Sequence, residues 1–318
     1  MGSHRPRVLG ISLLGIVGGV AILLSFAGGR GNEYTRSGSD LKDLITQFQS
    51  ASSLSFSASV AQVFSSSNAP PCEAEPSPPP EPVEGQLDYL ASGDNYRINS
   101  YLEPDKAPGM QTQVAWDGQK FQLLLSNGTL SCSSRNSASL LPILPNPLLE
   151  LLQFRYPLTD ENYRFDISLK DVRDDRIPDE FFNVVWTRVE EGDRILERAV
   201  FPGGTYEDQT YVHQVYTLPG HRNMPVRIDR VTKSGRITSA EFSDYVRLES
   251  SQGPTFWPRN VVLLAFDLDG IEAGRISYAI GNLAVNTEHP KAAFVLDPAA
   301  ATRIWDDDRG TFVTTTKE

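Results

Sequence analysis

The sequence is poor in the side chains that most often perform catalysis or bind metal ions. Its 318 residues include only four histidines and two cysteines. No two histidines stand four residues apart and none lies beside a cysteine, so the pattern predicts no zinc site. Metalloprotease, phosphate-loop, serine-hydrolase and dinucleotide-binding motifs are absent as well. The sequence therefore predicts a protein that is not an enzyme and that uses no metal or other cofactor.

An excess of positive charge is also missing. The formal net charge is -11 at neutral pH. An acidic surface repels phosphate backbones and anionic lipid headgroups, so nucleic acid is not an expected partner. The simplest role of this charge is to keep the protein soluble.

An uncharged, largely apolar run occupies residues 8–27, directly after His4, Arg5 and Arg7. Twenty helical residues span about 30 Å, which is the thickness of the hydrocarbon core of a bilayer. Basic residues before such a run keep that end in the cytoplasm and export the rest of the chain. Residues 1–28 are predicted to be either an uncleaved signal anchor or a signal peptide that is cleaved after Ala27.

Export changes the interpretation of the two cysteines. In an oxidising compartment, Cys72 and Cys132 form an even pair, which favours a disulfide bond. Such a bond stabilises a fold by roughly 4 kcal/mol in the chain-entropy model. The alternative is two free thiols.

Three segments without strand character are expected in the exported part. Residues 29–38 are polar and are predicted to be a linker, and apolar residues with helical spacing predict an amphipathic helix over residues 40–52. A loop rich in proline and glutamate occupies residues 68–84. The apolar segment 140–154 is interrupted by prolines and is predicted to be either a short helix over a sheet or a connector that fills the core.

Strand-like alternation dominates the remainder, which is expected to be one domain over residues 39–318. Ile276, Tyr278 and Ile280, for example, alternate with more polar neighbours. The same rhythm recurs in residues 54–64, 86–91, 96–99, 114–116, 121–125, 184–186, 196–201, 211–218, 226–232, 240–248 and 261–266. Short turns between about ten or eleven strands predict antiparallel pairing, and a sheet of this size must curl, close or split. The expected class is mainly β (α+β), a curved antiparallel sheet or half-open β-barrel with helices on its concave face.

Several turns punctuate these strands. Asp117-Gly118 and Asn127-Gly128 are strong hairpin signals. The segment 267–270 resembles the start of a calcium loop but lacks the later ligands, so it is predicted to be a turn. A short helix is expected to run through Trp305, followed by an acidic surface patch at residues 306–308.

Four short motifs, together with an exported chain that opens on one amphipathic helix, resemble the LolA/LolB superfamily of periplasmic lipoprotein carriers. The motifs are Ala61-Gln62-Val63-Phe64, Gly85-Gln86-Leu87-Asp88-Tyr89, Gly93-Asp94-Asn95-Tyr96-Arg97 and Val114-Ala115-Trp116-Asp117-Gly118-Gln119. The resemblance implies an unclosed β-barrel whose concave, apolar face holds lipid acyl chains. It also implies a location in the bacterial envelope, either in the periplasm or anchored on the periplasmic side of the inner membrane. This chain lacks the Arg-Pro pair of the carrier and the lipidated cysteine of the receptor.

Two functions remain open at this point. In the first, the domain binds a lipid, a lipoprotein acyl chain or another apolar ligand. In the second, the anchor tethers a sensory or scaffold module that binds a partner protein, as in some anti-sigma-factor regulators of similar fold. The candidate ligand-lining residues are aromatic, and each of them has ordinary core packing as its alternative: Trp116, Phe121, Trp186, Phe242 and Trp257.

Overall fold

Sixteen strands form one sheet in the computed structural model, which describes residues 33–35, 53–64, 81–93, 95–102, 110–135, 185–206, 209–222, 224–250, 253–267 and 269–313. The strands of the first half are β1 (Glu33–Thr35), β2 (Ser53–Phe64), β3 (Val83–Ser92), β4 (Asn95–Leu102), β5 (Met110–Trp116), β6 (Phe121–Leu125) and β7 (Thr129–Ser133). Those of the second half are β8 (Val185–Glu191), β9 (Arg194–Tyr206), β10 (Gln209–Thr217), β11 (Pro225–Val231), β12 (Arg236–Ser250), β13 (Gly253–Phe266), β14 (Glu272–Val285), β15 (Arg303–Asp306) and β16 (Thr311–Val313).

The order of the strands joins two meanders into one unclosed sheet. The order is β1-β8-β9-β10-β11-β12-β13-β14-β2-β3-β4-β5-β6-β7-β15-β16, so β14 pairs with β2 at the centre and β1 and β16 form the edges. All pairings are antiparallel except that between β7 and β15, which is parallel. The predicted antiparallel architecture is therefore confirmed, and short connections join most sequential strands.

The sheet bends sharply between β12 and β14. Cα atoms of these strands approach within 8 Å although β13 lies between them, whereas a flat sheet would separate them by about 9.5 Å. Asp244 in β12 and Asn282 in β14 have left-handed backbones, and the pairing of β14 with β2 shifts by one residue beside Asn282. The described pairing of β13 with β14 begins at Asn260, shortly after Pro258, which has no N–H to donate. These irregularities curve the sheet.

A second, smaller core lies on the opposite face of β5–β7. There Ala115, Leu124, Leu130 and Cys132 pack with Leu296 from the segment that follows β14. This segment contains two short 3-10 helices, Lys291–Phe294 and Pro298–Ala300, before it enters β15. The backbone N–H of Leu296 donates to the buried side-chain oxygen of Gln122 at 3.0 Å, which fixes the segment against β6.

The predicted turns are confirmed at the ends of these strands. Asp117 accepts hydrogen bonds from the backbone of residues 119 and 120, and Gly118 has a positive φ. Gly128 also has a positive φ in the turn between β6 and β7. In the predicted turn at 267–270, the Asp267 carboxylate accepts from the backbone N–H groups of Asp269 and Ile271.

Several predictions about elements are wrong. The sheet has sixteen strands instead of ten or eleven, and β1, β7, β15 and β16 are among those missed, because they are short segments without a long alternating pattern. Glu33–Thr35, which falls in the predicted linker, is β1 and pairs with β8. The helix expected through Trp305 is instead strand β15, since its backbone groups pair with β7 and β16. Asp307 and Asp308 after it are held by hydroxyl groups of Ser131, Ser133 and Ser134.

Other predictions fall outside the described residues. These are the apolar run 8–27, the helix 40–52, most of the loop 68–84, the segment 140–154 and Cys72. Among the residues that the structure does describe, no helix is long and apolar enough to span a bilayer. Cys132 is a buried thiol that is free in the structure, so the predicted disulfide is not shown and stays a prediction. Burial raises the pKa of this thiol.

Candidate ligand-binding site

One face of the sheet carries a continuous apolar cluster, called here the apolar face. Its buried members come from the twelve neighbouring strands β8 to β14 and β2 to β6. They are Phe56, Ala58, Val60, Leu87, Ile98, Val114, Phe121, Trp186, Ala199, Val215, Ile228, Ala240, Phe242, Trp257, Val261, Tyr278 and Ile280. Alternation within each strand places these side chains on the same side of the sheet, which is what the strand rhythm of the sequence predicts.

Part of the apolar face is accessible to solvent. Ten partly buried hydrophobic side chains pack against the cluster, and together they are called here the accessible strip. They are Leu54, Tyr89, Tyr96, Trp116, Leu123, Tyr245, Leu248, Leu263, Ile276 and Leu283. All of them lie on eight neighbouring strands, β12 to β14 and β2 to β6. The accessible apolar surface therefore runs through the middle of the sheet, from the bend at β12–β14 to β6.

The five predicted lining residues all lie on the apolar face. Phe121, Trp186, Phe242 and Trp257 are at most 4% exposed, whereas Trp116 belongs to the accessible strip. Trp116 and Phe121 are direct cross-strand partners in β5 and β6. The structure thus brings the five residues onto one surface, while their contact with a ligand stays a prediction.

Two further aromatic residues, which were not predicted from the sequence to line the site, also lie on this surface. The ring of Phe56 lies 5.2 Å from that of Tyr89 and 6.5 Å from that of Trp257. Phe56 and Tyr89 are cross-strand partners, and Trp257 reaches them although β14 separates its strand from β2. Although Tyr89 is partly exposed, desolvation by the side chains packed around it raises its pKa to about 12, so the phenol stays neutral. Alternation around Phe56 is the signal that could have identified it.

The β8–β10 end of the apolar face is polar. The Arg222 guanidinium donates to both carboxylate oxygens of Glu197, at 2.5 and 3.0 Å, and lies 5.0 Å above the Trp186 ring. Glu197 pairs directly with Thr217 in the sheet, on the same face as Ala199 and Val215. The side chain of Arg222 is only 8% exposed and that of Glu197 16%, so this ion pair is largely desolvated.

His213 and Arg230 extend the polar end along the same face. They are cross-strand partners in β10 and β11, and His213 is fully buried. The ring of Tyr211 meets that of His213 edge-on at 5.1 Å. Burial, reinforced by the positive charge of Arg230, holds the pKa of His213 well below its usual value. The imidazole is therefore neutral at neutral pH.

A charged cluster occupies the opposite face of β8–β12. Arg227 donates to both oxygens of Glu191 at 2.7 and 2.6 Å and to Asp229 at 3.0 Å, and it stacks 3.9 Å above the Tyr216 ring. Asp229 is 1% exposed and accepts from the Ser239 hydroxyl at 2.7 Å. Burial raises the pKa of Asp229, although Arg227 opposes that effect. Since every partner here belongs to the sheet, the cluster serves to hold neighbouring strands together.

The described residues do not assemble a metal site. Among them, no three or more histidine, cysteine, aspartate and glutamate side chains lie close enough to share an ion. The apolar face itself offers burial of apolar groups, with hydrogen-bonding side chains at its polar end.

Comparison with known proteins gives structural likenesses only. No family model matches the chain, and no curated protein matches it. A domain from Vibrio parahaemolyticus, described as belonging to an outer membrane lipoprotein-sorting protein, has 8% identity and a TM-score of 0.39 over 81% of this chain and 95% of that one. A DUF1329 family protein from Desulfovibrio piger has 10% identity and a TM-score of 0.42, covering 82% and 98%.

A structure of the MucA/MucB complex from Pseudomonas aeruginosa also matches, with 9% identity and a TM-score of 0.26 over 77% of this chain and 94% of that one. The Vibrio domain is of the same kind as the lipoprotein-sorting proteins that the sequence resembles. Because all three TM-scores lie below 0.5, no function is carried over from these proteins.

Proposed function

We propose that this chain is a non-enzymatic binding protein of the bacterial envelope that holds a lipid acyl chain or another apolar ligand on its apolar face. One observation carries the proposal: a single apolar surface continues across twelve neighbouring strands of an unclosed, bent sheet. Eight of those strands leave part of it accessible to solvent. Accessible, contiguous apolar surface of this kind is typical of binding sites.

Apolar burial alone is sufficient to hold such a ligand. Each methylene group removed from water contributes about 0.8 kcal/mol, so a long acyl chain needs few polar contacts. Trp116 offers the first contact because it is partly exposed. Phe121, Phe242 and Trp257 lie on three of the eight strands that carry the accessible strip, and Trp186 lies at the polar end.

The proposed location follows from the segment 1–28. A retained segment tethers the domain to the inner membrane, which suits a module that binds a partner protein. Cleavage after Ala27 releases the domain into the periplasm, which suits a diffusing carrier. Mass spectrometry of the intact protein after expression shows whether the segment is retained or cleaved. Retention of residues 5–27 would rule out a carrier that shuttles between membranes.

Native mass spectrometry tests the binding function. The full chain is expressed in a bacterium with its export segment, and the mass of the purified protein is compared before and after extraction with organic solvent. We expect a co-purified apolar molecule and, after its removal, displacement of a fluorescent fatty acid by added lipid. A protein that is empty and binds no fluorescent fatty acid would contradict the proposal.

A matched pair of variants separates ligand binding from core packing. Trp116→Ala is expected to weaken acyl-chain binding about fivefold or more, with a smaller loss of stability because the indole is partly exposed. Its cross-strand partner Phe121 is 1% exposed, so Phe121→Ala should mainly lower the free energy of unfolding, by about 3–5 kcal/mol. Unchanged affinity in Trp116→Ala would mean that the accessible strip is not the binding surface.

A further inference from the structure

The β16 edge of the sheet carries an exposed aromatic pair. Trp305 in β15 and Phe312 in β16 are direct cross-strand partners, and their rings meet edge-on with centroids 4.9 Å apart. Phe312 is 52% exposed, whereas Trp305 is partly buried. The Cζ atom of Arg303 lies 5.4 Å from the centre of the Phe312 ring. Trp305, Phe312 and Arg303 are together called here the aromatic edge.

Strand register places the aromatic edge on the same side of the sheet as the apolar face. Leu123, a member of the accessible strip, pairs with Ser131 in β7, and Ser131 pairs with Trp305. Cross-strand partners point to the same side of a sheet. Ile304, the neighbour of Trp305, packs into the small core on the opposite face, as alternation requires. Only β7 therefore separates the accessible strip from the aromatic edge.

Leu125 extends the exposed apolar surface on the other side of β7. It follows Leu123 by two residues in β6, so its side chain points to the same side of the sheet, and it is 38% exposed. Arg303 reaches back across β7, because its Nε atom donates to the Thr129 hydroxyl at 2.7 Å. Exposed apolar side chains thus flank β7 from both neighbouring strands and lead into the accessible strip.

The surroundings of the aromatic edge carry no net charge. Residues 129–135 and 303–313 contain three arginines, Arg135, Arg303 and Arg309, and three aspartates, at 306–308. Asp307 and Asp308 accept from serine hydroxyl groups of β7 and the residue after it, and Asp306 pairs with Arg309. The whole chain has a net charge of -11. This balanced surface suits a partner without net charge better than a strongly acidic or basic one.

We propose that the aromatic edge and Leu125 dock on the surface of a zwitterionic lipid bilayer, from which an acyl chain enters the accessible strip at its β5–β6 end. The inference rests on the proposed function and adds the place where the ligand enters. Tryptophan is enriched where proteins meet the polar surface of a bilayer, and arginine keeps its guanidinium in water while its stem covers apolar groups. Phe312 and Leu125 supply apolar area that docking removes from water.

Quenching of tryptophan emission by brominated lipid measures this contact. The full-chain wild type and Trp305→Phe are combined with vesicles of phosphatidylcholine, with and without bromine on the acyl chains. We expect stronger quenching in the wild type, because Trp305 meets the bilayer. Phosphatidylglycerol in the vesicles should weaken the quenching, since the chain carries a net charge of -11. Equal quenching of both proteins would overturn the docking, whether or not residues 1–28 hold the chain at the vesicle.

Phe312→Ser and Val313→Ser form a matched pair. The two residues are adjacent in β16 and are 52% and 42% exposed, but Val313 pairs with Ile304 and points to the opposite face. We expect Phe312→Ser to slow the transfer of a fluorescent fatty acid from phosphatidylcholine vesicles to the protein about tenfold, because less apolar area is buried at the bilayer. Val313→Ser should transfer it as the wild type does. Equal rates in the two variants would contradict the inference.

Binding of the same fatty acid in solution, without vesicles, tests the proposed function separately. A wild type that binds it in solution but shows no contact between Trp305 and brominated lipid would overturn the docking alone. A wild type that binds it in neither setting would overturn the proposed function as well. A dimer that Phe312→Ser abolishes, with no quenching by brominated lipid, would show that a second copy covers this edge and would also refute the inference.

Discussion

His213 links the stability of the domain to pH. The side chain is fully buried beside Arg230, and its pKa is well below that of an exposed histidine, about 6.5. The unfolded chain therefore binds a proton at this site that the folded chain excludes. The resulting stability is complete above about pH 6.5 and is lost as the pH falls below that value. We expect protonation linked to this residue to lower the free energy of unfolding by about 2 kcal/mol as the pH falls from 7 to 5.

Urea unfolding as a function of pH measures this effect. His213→Gln should lower stability at pH 7 but should flatten the decline between pH 7 and pH 5. His221→Gln is the control, because His221 is an exposed histidine in the turn that follows β10. If His213→Gln and the wild type lose the same stability on acidification, the buried imidazole does not titrate as described.

Arg227 is the central side chain of the charged cluster on the opposite face. Its replacement by methionine leaves Asp229, which is 1% exposed, without its main counter-charge. We expect Arg227→Met to lower the free energy of unfolding by about 2–4 kcal/mol, and Arg227→Lys to lower it by less. Arg247→Met removes a pair whose side chains are 60% and 73% exposed, so its effect should stay within about 0.5 kcal/mol. Equal losses in the two methionine variants would contradict the role of burial.

Sequence reasoning reached the apolar members of the site but not the polar ones. Alternation fixes which side chains share a face, so Trp116 and Phe121 could be placed together before the structure was known. In β10, however, His213 and Thr217 share a face with Val215, while Val212 and Tyr216 share the other. Both faces of this strand are mixed, and only its neighbours in the sheet reveal which face continues the apolar cluster.

At the scale of elements, long alternating segments were predicted well and short ones were not. β14, with Ile276, Tyr278 and Ile280 on one side, was predicted because its pattern lasts long enough to exclude a helix. β15 has only four residues, and its backbone pairs with β7, from a distant part of the sequence. No local pattern reports a partner of that kind, so the segment through Trp305 was assigned to a helix.

Gly85 tests how closely neighbouring strands approach each other. A Cβ atom at this position in β3 would overlap the backbone carbonyl oxygen of Tyr101 in β4. We expect Gly85→Ala to lower the free energy of unfolding by about 1–3 kcal/mol, because the backbone of β4 must shift to make room. Urea unfolding measures the loss.

Gly281 provides the matched control for that substitution. It also lies within a strand, β14, but the nearest atom to an added Cβ would be the Ser57 carbonyl oxygen at an ordinary 3.9 Å. Gly281→Ala should therefore be close to neutral. If the two alanine variants unfold at the same urea concentration, the pairing of β3 and β4 does not depend on the room that glycine leaves at position 85.

At the scale of the whole molecule, the two faces of the sheet differ in how completely they are covered. The segment that follows β14 covers the face opposite the apolar face over β5–β7 and packs a small core around Leu296. The apolar face, by contrast, extends over twelve strands and keeps an accessible strip over eight of them, which include the bend at β12–β14. Under the proposed function, a ligand that covers this strip would complete its burial.

The dependence of affinity on the length of the acyl chain distinguishes specific binding along the apolar face from non-specific hydrophobic contact. If an acyl chain lies along the apolar face, each added methylene should lower Kd by about fourfold, until the chain exceeds the length of the surface. Isothermal titration calorimetry with monoacyl esters of increasing length measures this slope, and the heat-capacity change should become more negative in step. The slope should be shallower for Trp116→Ala, which shortens the accessible strip. Affinities that do not change with chain length would show that the ligand is held by its head group alone, and the apolar face would then be an ordinary core.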